Sequence, residues 1–120
     1  MPMILLDTSV WIDHFRQGDP GVVSLLESGD VLCHPFIIGE LACSNLASRK
    51  EVLHRLALLP SAASARHPEV LAFIEAHRLS GLGLGFIDMH LLAAANLDGF
   101  RLWTRDKALR KAAEKLKVAY

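Results

Sequence analysis

The sequence predicts an α/β fold, a three-layer α/β/α arrangement with a central parallel sheet. Short apolar segments of strand length alternate along the chain with segments of helical pattern, and parallel strands need such helices as their connections. The chain has 120 residues, of which 52% are hydrophobic, so it is long enough to bury one compact core. We therefore expect a single domain over residues 1–120, without repeats or linkers.

The first half of the chain is predicted to contain two strands and four helices. Thr8 or Ser9 can cap the first helix, and Pro35 suits the first turn of the third. Glycine or proline marks most of the element ends. In chain order we expect a strand at 3–6, helices at 8–15 and 20–28, a strand at 30–34, and helices at 35–47 and 49–59.

The second half contains the most apolar helix of the chain. Pro68 begins an amphipathic helix, and Gly99 stands where a left-handed C-cap would end the apolar one. We expect a weak strand at 61–65, a helix at 68–79, a glycine-rich loop at 80–85, a helix at 86–97, a strand at 101–104, a basic helix at 106–116 and a final strand at 117–120.

Composition excludes several classes of protein. Net charge is zero, no uncharged run is long enough for a transmembrane helix, and no basic segment precedes the first apolar run as in a secretory signal. We therefore expect a cytoplasmic protein that makes no membrane contact. Cys33 and Cys43 form no CxxC pair and are expected to be small buried side chains. The six histidines form no HExxH or HxH motif, which argues against zinc chemistry.

Two acids stand alone in apolar helices. Glu40 is the only charged residue of 35–48, and Asp88 is the only one of 79–97. Neither has a basic residue three or four positions away, so a local helical ion pair is excluded for both. Because an ionised carboxylate is costly to remove from water, each needs a cation, hydrogen bonds or a proton.

Two further acids follow strands. Asp7 comes directly after the first strand, and Asp106 follows the strand at 101–104 by one residue. Since functional groups in open α/β sheets gather beyond the carboxyl ends of the strands, both acids are expected at the same edge of the sheet. If Glu40 and Asp88 project from flanking helices, four carboxylates converge. Hard oxygen ligands of this kind select Mg²⁺ or Mn²⁺.

Each acid also has a purely structural explanation. Asp7 and Asp106 can be N-caps of the helices that follow them, and Asp88 can cap the helix begun by "GFID". Glu40 can reach solvent from a partly exposed helix. These four explanations are independent of one another, whereas a shared cation site explains all four acids at once.

Basic residues concentrate near the C-terminus. Of thirteen Lys and Arg residues, only Arg16 lies among the first forty, whereas seven lie between Arg101 and Lys117. Such a distribution favours a polyanion passing nearby, although a solvated helix face explains the same run taken alone.

The chain resembles PIN-domain nucleases, and more closely the VapC-type toxins of bacterial toxin-antitoxin pairs. The resemblance rests on four blocks that follow the family's order: "ILLDTSVWID", "IIGELACSNL", "GFIDMHLLAAA" and "LWTRDKAL". The blocks are spread over nearly the whole chain, and the segment around 49–78 is the part without a match. The implied fold is PIN-like.

The resemblance implies an endoribonuclease that binds Mg²⁺ or Mn²⁺ and uses metal-activated water to cleave RNA. It implies a cognate antitoxin and a homodimer as partners. The implied catalytic and metal-binding residues are Asp7, Glu40, Asp88 and Asp106. The hydroxyls implied to order these carboxylates are Thr8, Ser9 and Thr104. With an RNA substrate, the residues that we expect to contact its backbone are Arg105, Lys107 and Arg110.

Two alternatives stay open. One is a non-catalytic or inhibited module on the same fold that binds a cation or a partner. A phosphatase with a nucleophilic aspartate is a weaker alternative, because "DTS" lacks the second aspartate of a DxD site. His90, Trp11 and Trp103 are expected to be structural, and the loop at 80–85 lacks the phosphate-loop pattern.

Overall fold

The computed structural model describes residues 3–120, and its strands are short. Within that range it contains three strands and seven helices. In chain order they are β1 (Ile4–Leu6), α1 (Thr8–Gln17), α2 (Pro20–Glu27), β2 (Val31–Leu32), α3 (Pro35–Ala42), α4 (Arg49–Ala57), α5 (His67–Ala76), α6 (Phe86–Asp98), β3 (Arg101–Trp103) and α7 (Lys107–Lys115).

The three strands form one parallel sheet in the order β2-β1-β3. In the register of this sheet, Leu5 of β1 lies opposite Leu32 on one side and Leu102 on the other. All residues of β1 are buried, because β1 is central and is covered on both faces. The predicted fold class, a parallel sheet flanked by helices in three layers, is confirmed. Because the strands are parallel, the residues that follow β1 and β3 share one edge of the sheet.

The helix α6 is the most deeply buried of the seven helices within residues 3–120. Every residue from 89 to 95 is buried, and Leu91 and Leu92 have no exposed surface. A helix that is apolar on all sides is expected to lie inside the core. It ends as predicted at Gly99, whose φ of 74° and ψ of 26° place it in the left-handed region. The core position of α6 fixes where Asp88, in its first turn, can lie.

The prediction of a helix at 35–47 is wrong in its end point, because α3 ends at Ala42. The last carbonyl groups of α3 find side-chain donors: Ser44 Oγ donates to Leu41 O, and the Arg49 guanidinium donates to Ala42 O. Ser48 then adopts a left-handed φ of 53° before α4 begins. Cys43 consequently lies at the end of a helix and is exposed, contrary to prediction, while Cys33 is buried; both thiols are free.

Two predicted strands are reduced to single bridges. In the segment at 61–65, Ser61 pairs with Cys33, and in the segment at 117–120, Ala119 pairs with Leu102. The strand predicted at 30–34 is regular only in β2, with Cys33 extending it through its bridge. A helix predicted at 68–79 is α5, which ends at Ala76 because Arg78 adopts a left-handed φ of 53°.

The start of α1 also differs from prediction. Asp7, rather than Thr8 or Ser9, occupies the N-cap position, and its side chain accepts no helix N–H. Pro20 and Pro35 lie in the first turns of α2 and α3, where a missing N–H costs nothing. The carboxylate of Asp7 is therefore available for contacts outside its own helix. Among residues 3–120, no helix is long and apolar enough to cross a membrane.

Candidate active site

Asp7 is the most buried of the four predicted acids. It follows β1, and its backbone N–H donates to Trp103 O at 2.9 Å, which continues the pairing of β1 with β3. Its Oδ2 accepts hydrogen bonds from Ser9 Oγ and Thr104 Oγ1, both at 2.8 Å. These two hydroxyls come from α1 and from the segment after β3. Two separate elements therefore fix the orientation of one carboxylate.

Asp106 lies on the loop that joins β3 to α7. Its backbone N–H donates to Thr104 Oγ1 at 3.1 Å, and Thr104 in turn donates to Asp7. The Oδ1 atom of Asp106 accepts from Leu109 N–H at 2.9 Å, so the residue is also the N-cap of α7. Asp106 therefore caps α7, as its structural explanation predicted, and is also linked to Asp7 through Thr104.

Glu40 joins α3 to the start of α1. Its Oε1 accepts a hydrogen bond from Thr8 Oγ1 at 2.8 Å, and its side chain is half-buried. Thr8 directly follows Asp7 in the sequence, so Glu40 is hydrogen-bonded to the neighbour of the most buried acid. All three predicted hydroxyls are hence hydrogen-bonded to predicted acids.

Asp88 is half-buried in the first turn of α6. Its Oδ2 accepts from Gly85 N–H at 3.0 Å. Burial raises the pKa of the Asp88 carboxyl above its ordinary value, and the negative charges of Asp7 and Asp106 raise it further, while the Gly85 hydrogen bond lowers it. Three elements thus bring carboxylates into one region of negative potential.

Each of the four acids uses only one of its carboxylate oxygens for protein hydrogen bonds. Within residues 3–120, no hydrogen bond reaches the second oxygen of any of them. The ion pairs found within residues 3–120 involve none of these four acids; their acidic partners are Glu51, Asp13 and Asp19. The site therefore carries negative charge without basic partners and has oxygen atoms available for a ligand.

As the side chains stand, the acids do not form a closed ligand set. In the part of the chain that the structure describes, no three His, Cys, Asp or Glu side chains lie close enough together to hold a metal ion. Charge acts over longer distances than ligation, so this finding and the raised pKa of Asp88 are compatible. The oxygen donors of these acids are of the kind that Mg²⁺ or Mn²⁺ prefers, and shared ligation would require their side chains to move.

The three predicted RNA contacts have different surroundings. Lys107 and Arg110 are exposed at the start of α7 and make no ion pair within residues 3–120. Arg105 instead forms ion pairs with the carboxylates of Asp13 and Asp19. Sequence reasoning missed these two acids. The available signal was the position of Asp13, one helical turn after Ser9 and on the same face of α1.

His90, Trp11 and Trp103 were predicted to be structural residues. His90 is buried, and its ring meets Phe36 and Phe86 edge-on with centroid separations of 4.6 and 4.7 Å. Trp11 is buried, whereas Trp103 is half-buried and packs against Tyr120 at 5.4 Å between ring centroids. These contacts agree with structural roles for the three side chains.

Comparison with known proteins assigns the fold to a family. The profile described as the PIN domain matches residues 4–115. The chain belongs to the PIN-domain family. Among curated PIN-domain relatives, Ribonuclease VapC32 of Mycobacterium tuberculosis, from strains CDC 1551 / Oshkosh and ATCC 25618 / H37Rv, is 46% identical over 118 residues, covering 98% of this chain and 95% of the relative.

Solved structures agree with the PIN fold. The crystal structure of PAE2754 from Pyrobaculum aerophilum superposes with a TM-score of 0.71 at 16% identity, over 99% of this chain and 88% of the other, and supports the fold alone. The crystal structure of FitAcB from Neisseria gonorrhoeae gives a TM-score of 0.60 at 25% identity, over 98% of this chain and 95% of the other.

Proposed function

We propose that this chain is a metal-dependent endoribonuclease that acts as the toxin of a toxin-antitoxin pair. Its identity of 46% with Ribonuclease VapC32, over nearly the full length of both chains, supports the reaction class. The observation that carries the proposal for this chain's own site is the pattern of carboxylate oxygens. Four acids from separate elements each leave one oxygen without a hydrogen bond within residues 3–120.

The proposed metal ligands are these same four acids. Asp7 and Asp88 would bind Mg²⁺ or Mn²⁺ directly, and Glu40 and Asp106 would complete the site or bind waters. When bound, a divalent cation supplies Lewis acidity: it lowers the pKa of a water and neutralises charge that develops on the phosphate. The raised pKa of Asp88, caused by burial and by neighbouring carboxylates, supports a cation as the missing partner.

The hydroxyl side chains orient the acids. Ser9 and Thr104 both donate to Oδ2 of Asp7, which leaves its Oδ1 without a hydrogen bond within residues 3–120. Thr8 holds Glu40 in the same manner through Oε1. Such outer contacts fix the orientation of ligands before a cation binds and so reduce the cost of ordering them.

Lys107 and Arg110 are the proposed contacts to the RNA backbone. Both are exposed in the first turn of α7, which begins directly after Asp106. Positive charges beside the acids would carry a phosphodiester toward the cation while contributing no sequence preference of their own.

The proposed partners are an RNA substrate, a cognate antitoxin and a second copy of the chain. The relation to Ribonuclease VapC32 supports the antitoxin, because VapC-type toxins are paired with one. A protein partner that covers the acids would explain how a cell tolerates the nuclease. Cytoplasmic action follows from the RNA substrate.

The test is cleavage of a structured RNA by the purified chain with and without Mg²⁺. We expect cleavage by the wild type and loss of cleavage in Asp7→Asn and Asp88→Asn. Asp98→Asn is the matched control, because Asp98 is an exposed acid at the other end of α6. If both site variants cleave as fast as the wild type, the assignment of the acids is wrong. If the wild type binds RNA or Mn²⁺ but never cleaves, the non-catalytic module replaces the proposal.

A further inference from the structure

Arg105 lies between two residues of the proposed site. Thr104 before it donates to Asp7, and Asp106 after it is one of the four acids. The backbone N–H of Arg105 itself donates to Ser9 Oγ at 3.1 Å. Three successive residues of the loop between β3 and α7 are therefore bonded to one hydrogen-bond network. The position of this loop determines where the functional groups of the site lie.

The Arg105 side chain connects this loop to two helices. Its Nε forms an ion pair with Asp13 Oδ2 at 2.9 Å, and its Nη2 donates a hydrogen bond to Asp19 Oδ2. Asp13 belongs to α1, and Asp19 is the N-cap of α2, where its Oδ1 accepts from Gly21 N–H at 2.8 Å. One planar guanidinium thus fixes the loop relative to both helices, in a geometry that a lysine cannot reproduce.

Packing of Trp103 supports the same connection. The guanidinium carbon of Arg105 lies 5.7 Å from the centroid of the Trp103 ring. On α2, a Cβ atom added at Gly21 would lie 3.2 Å from that ring, so the missing side chain permits the close approach of α2 to β3. We call Arg105, Asp13, Asp19 and Trp103 the Arg105 cluster.

The charge balance of the Arg105 cluster argues against a contact with substrate. Two carboxylates face one guanidinium, so the positive charge is already compensated. A phosphate would have to compete with both of them. Lys107 and Arg110 have no such competitor within the described residues.

We propose that Arg105 is a positioning residue of the nuclease site and not an RNA contact. It holds the loop with Thr104 and Asp106 against Asp7 through Asp13 and Asp19. The expected effect on RNA cleavage rests on the proposed function. The expected effect on the position of the loop rests only on the hydrogen bonds of the loop.

The kinetic test compares Arg105→Gln and Asp13→Asn with Arg110→Gln in RNA cleavage. We expect the first two to lower kcat by about tenfold with KM changed by less than about twofold, because they misplace groups that act in the transition state. Arg110→Gln is expected to raise KM. Arg101→Gln, at the opposite end of β3, is the matched control and is expected to leave both constants unchanged.

A lysine at position 105 separates positioning from phosphate binding. Lysine preserves the charge but cannot donate to both carboxylates in the fork geometry. We expect Arg105→Lys to lower kcat as Arg105→Gln does. Recovery of wild-type kcat by Lys, or a rise of KM in Arg105→Gln with unchanged kcat, would identify Arg105 as an RNA contact and overturn the proposal.

Amide hydrogen exchange provides a readout that does not depend on RNA or metal. The N–H groups of Arg105 and Asp106 donate to Ser9 and Thr104. In Arg105→Gln we expect them to exchange on the order of tenfold faster at an unchanged melting temperature. If the wild type cleaves no RNA, the proposed function fails and the exchange rates alone decide the role of Arg105. Unchanged rates at these amides would refute it, and Asp13→Asn provides the same test if Arg105→Gln does not fold.

Discussion

The two carboxylate oxygens of Asp7 have different surroundings. Its Oδ2 satisfies two hydroxyl donors, whereas its Oδ1 accepts no hydrogen bond within residues 3–120. The first feature fixes the side chain, and the second leaves an atom for a ligand. Each of the other acids in the candidate site divides its oxygens in the same way.

Asp88→Asn is predicted to stabilise the metal-free protein. Asparagine can still accept from Gly85 N–H, and it removes a half-buried charge that Asp7 and Asp106 repel. Because Asp88 is half-exposed and screened by water, we expect a gain of about 0.5–1 kcal/mol, or roughly 2–4 °C in melting temperature. Thermal unfolding in a chelator measures it, with Asp98→Asn as control. A lower melting temperature in Asp88→Asn would indicate that this carboxylate is a structural group.

Thr104→Val is predicted to weaken catalysis without unfolding the chain. Valine has the shape of threonine but neither donates to Asp7 nor accepts from Asp106 N–H. Loss of such outer contacts commonly lowers activity by about 10- to 100-fold, and we expect a decrease in that range. Single-turnover cleavage measures it, and Ser24→Ala on the exposed part of α2 is the control. Wild-type turnover in Thr104→Val would remove this hydroxyl from the proposed site.

At the scale of elements, α3 depends on an unusual N-cap. His34 is fully buried, and its Nδ1 accepts from Phe36 N–H at 3.0 Å, so the proton of the neutral ring is assigned to Nε2. Within the described residues, Nε2 has no hydrogen-bond partner. Burial, together with the nearby His90, lowers the pKa of His34 to about 4.

The stability of the chain is predicted to fall as the pH falls from about 6.5 to about 4, because the unfolded state then binds a proton that folded His34 excludes. The full effect is about 3 kcal/mol at and below the folded pKa, and it vanishes above the unfolded one. Denaturant unfolding across this range measures it. His34→Asn keeps an N-cap acceptor and should lose this part of the pH dependence. An unaltered pH profile in that variant would contradict the assignment.

The start of α7 is predicted to bind the RNA backbone. Replacing Lys107 or Arg110 with Gln should lower the slope of log affinity against log salt by about 0.7 each, since each lost phosphate contact releases fewer counterions. RNA binding in a chelator, measured over a range of salt concentrations, tests this. Lys115→Gln at the other end of α7 is the control. Equal slopes in all variants would place the RNA elsewhere.

Local patterns predicted some elements better than others. The apolar stretch before Gly99 predicted α6 well, because burial on all sides and a glycine C-cap are both visible in sequence. The end of α3 was not predictable, since it depends on Arg49 reaching back to Ala42 and on a left-handed Ser48. Strands reduced to single bridges, such as Ser61 with Cys33, depend on contacts between distant segments.

The site was predictable to a similar extent. Isolated acids in apolar helices and acids after strands indicated four carboxylates, and the structure links Asp7 to Asp106 through Thr104. The two ion pairs of Arg105 were not predictable, because its partners Asp13 and Asp19 approach only when α1, α2 and β3 are assembled. A basic residue in a basic segment otherwise suggests a phosphate contact.

At the scale of the whole molecule, cation binding is predicted to stabilise the fold. A ligand at a hundred times its dissociation constant adds about 2.7 kcal/mol when it binds only the folded state. For a domain of this size, we expect a rise of about 10 °C in melting temperature with saturating Mn²⁺. Thermal scans of the wild type and of Asp7→Asn measure it. An equal rise in both proteins would mean that the cation binds outside the four acids.

A crystal of the chain soaked in Mn²⁺, with anomalous diffraction recorded at the manganese edge, tests the shared cation most directly. We expect an anomalous peak in contact with Asp7 Oδ1 and with a carboxylate oxygen of Asp88, with Glu40 and Asp106 beside it. No peak at this site under saturating Mn²⁺, or a peak held only by other residues, would contradict it.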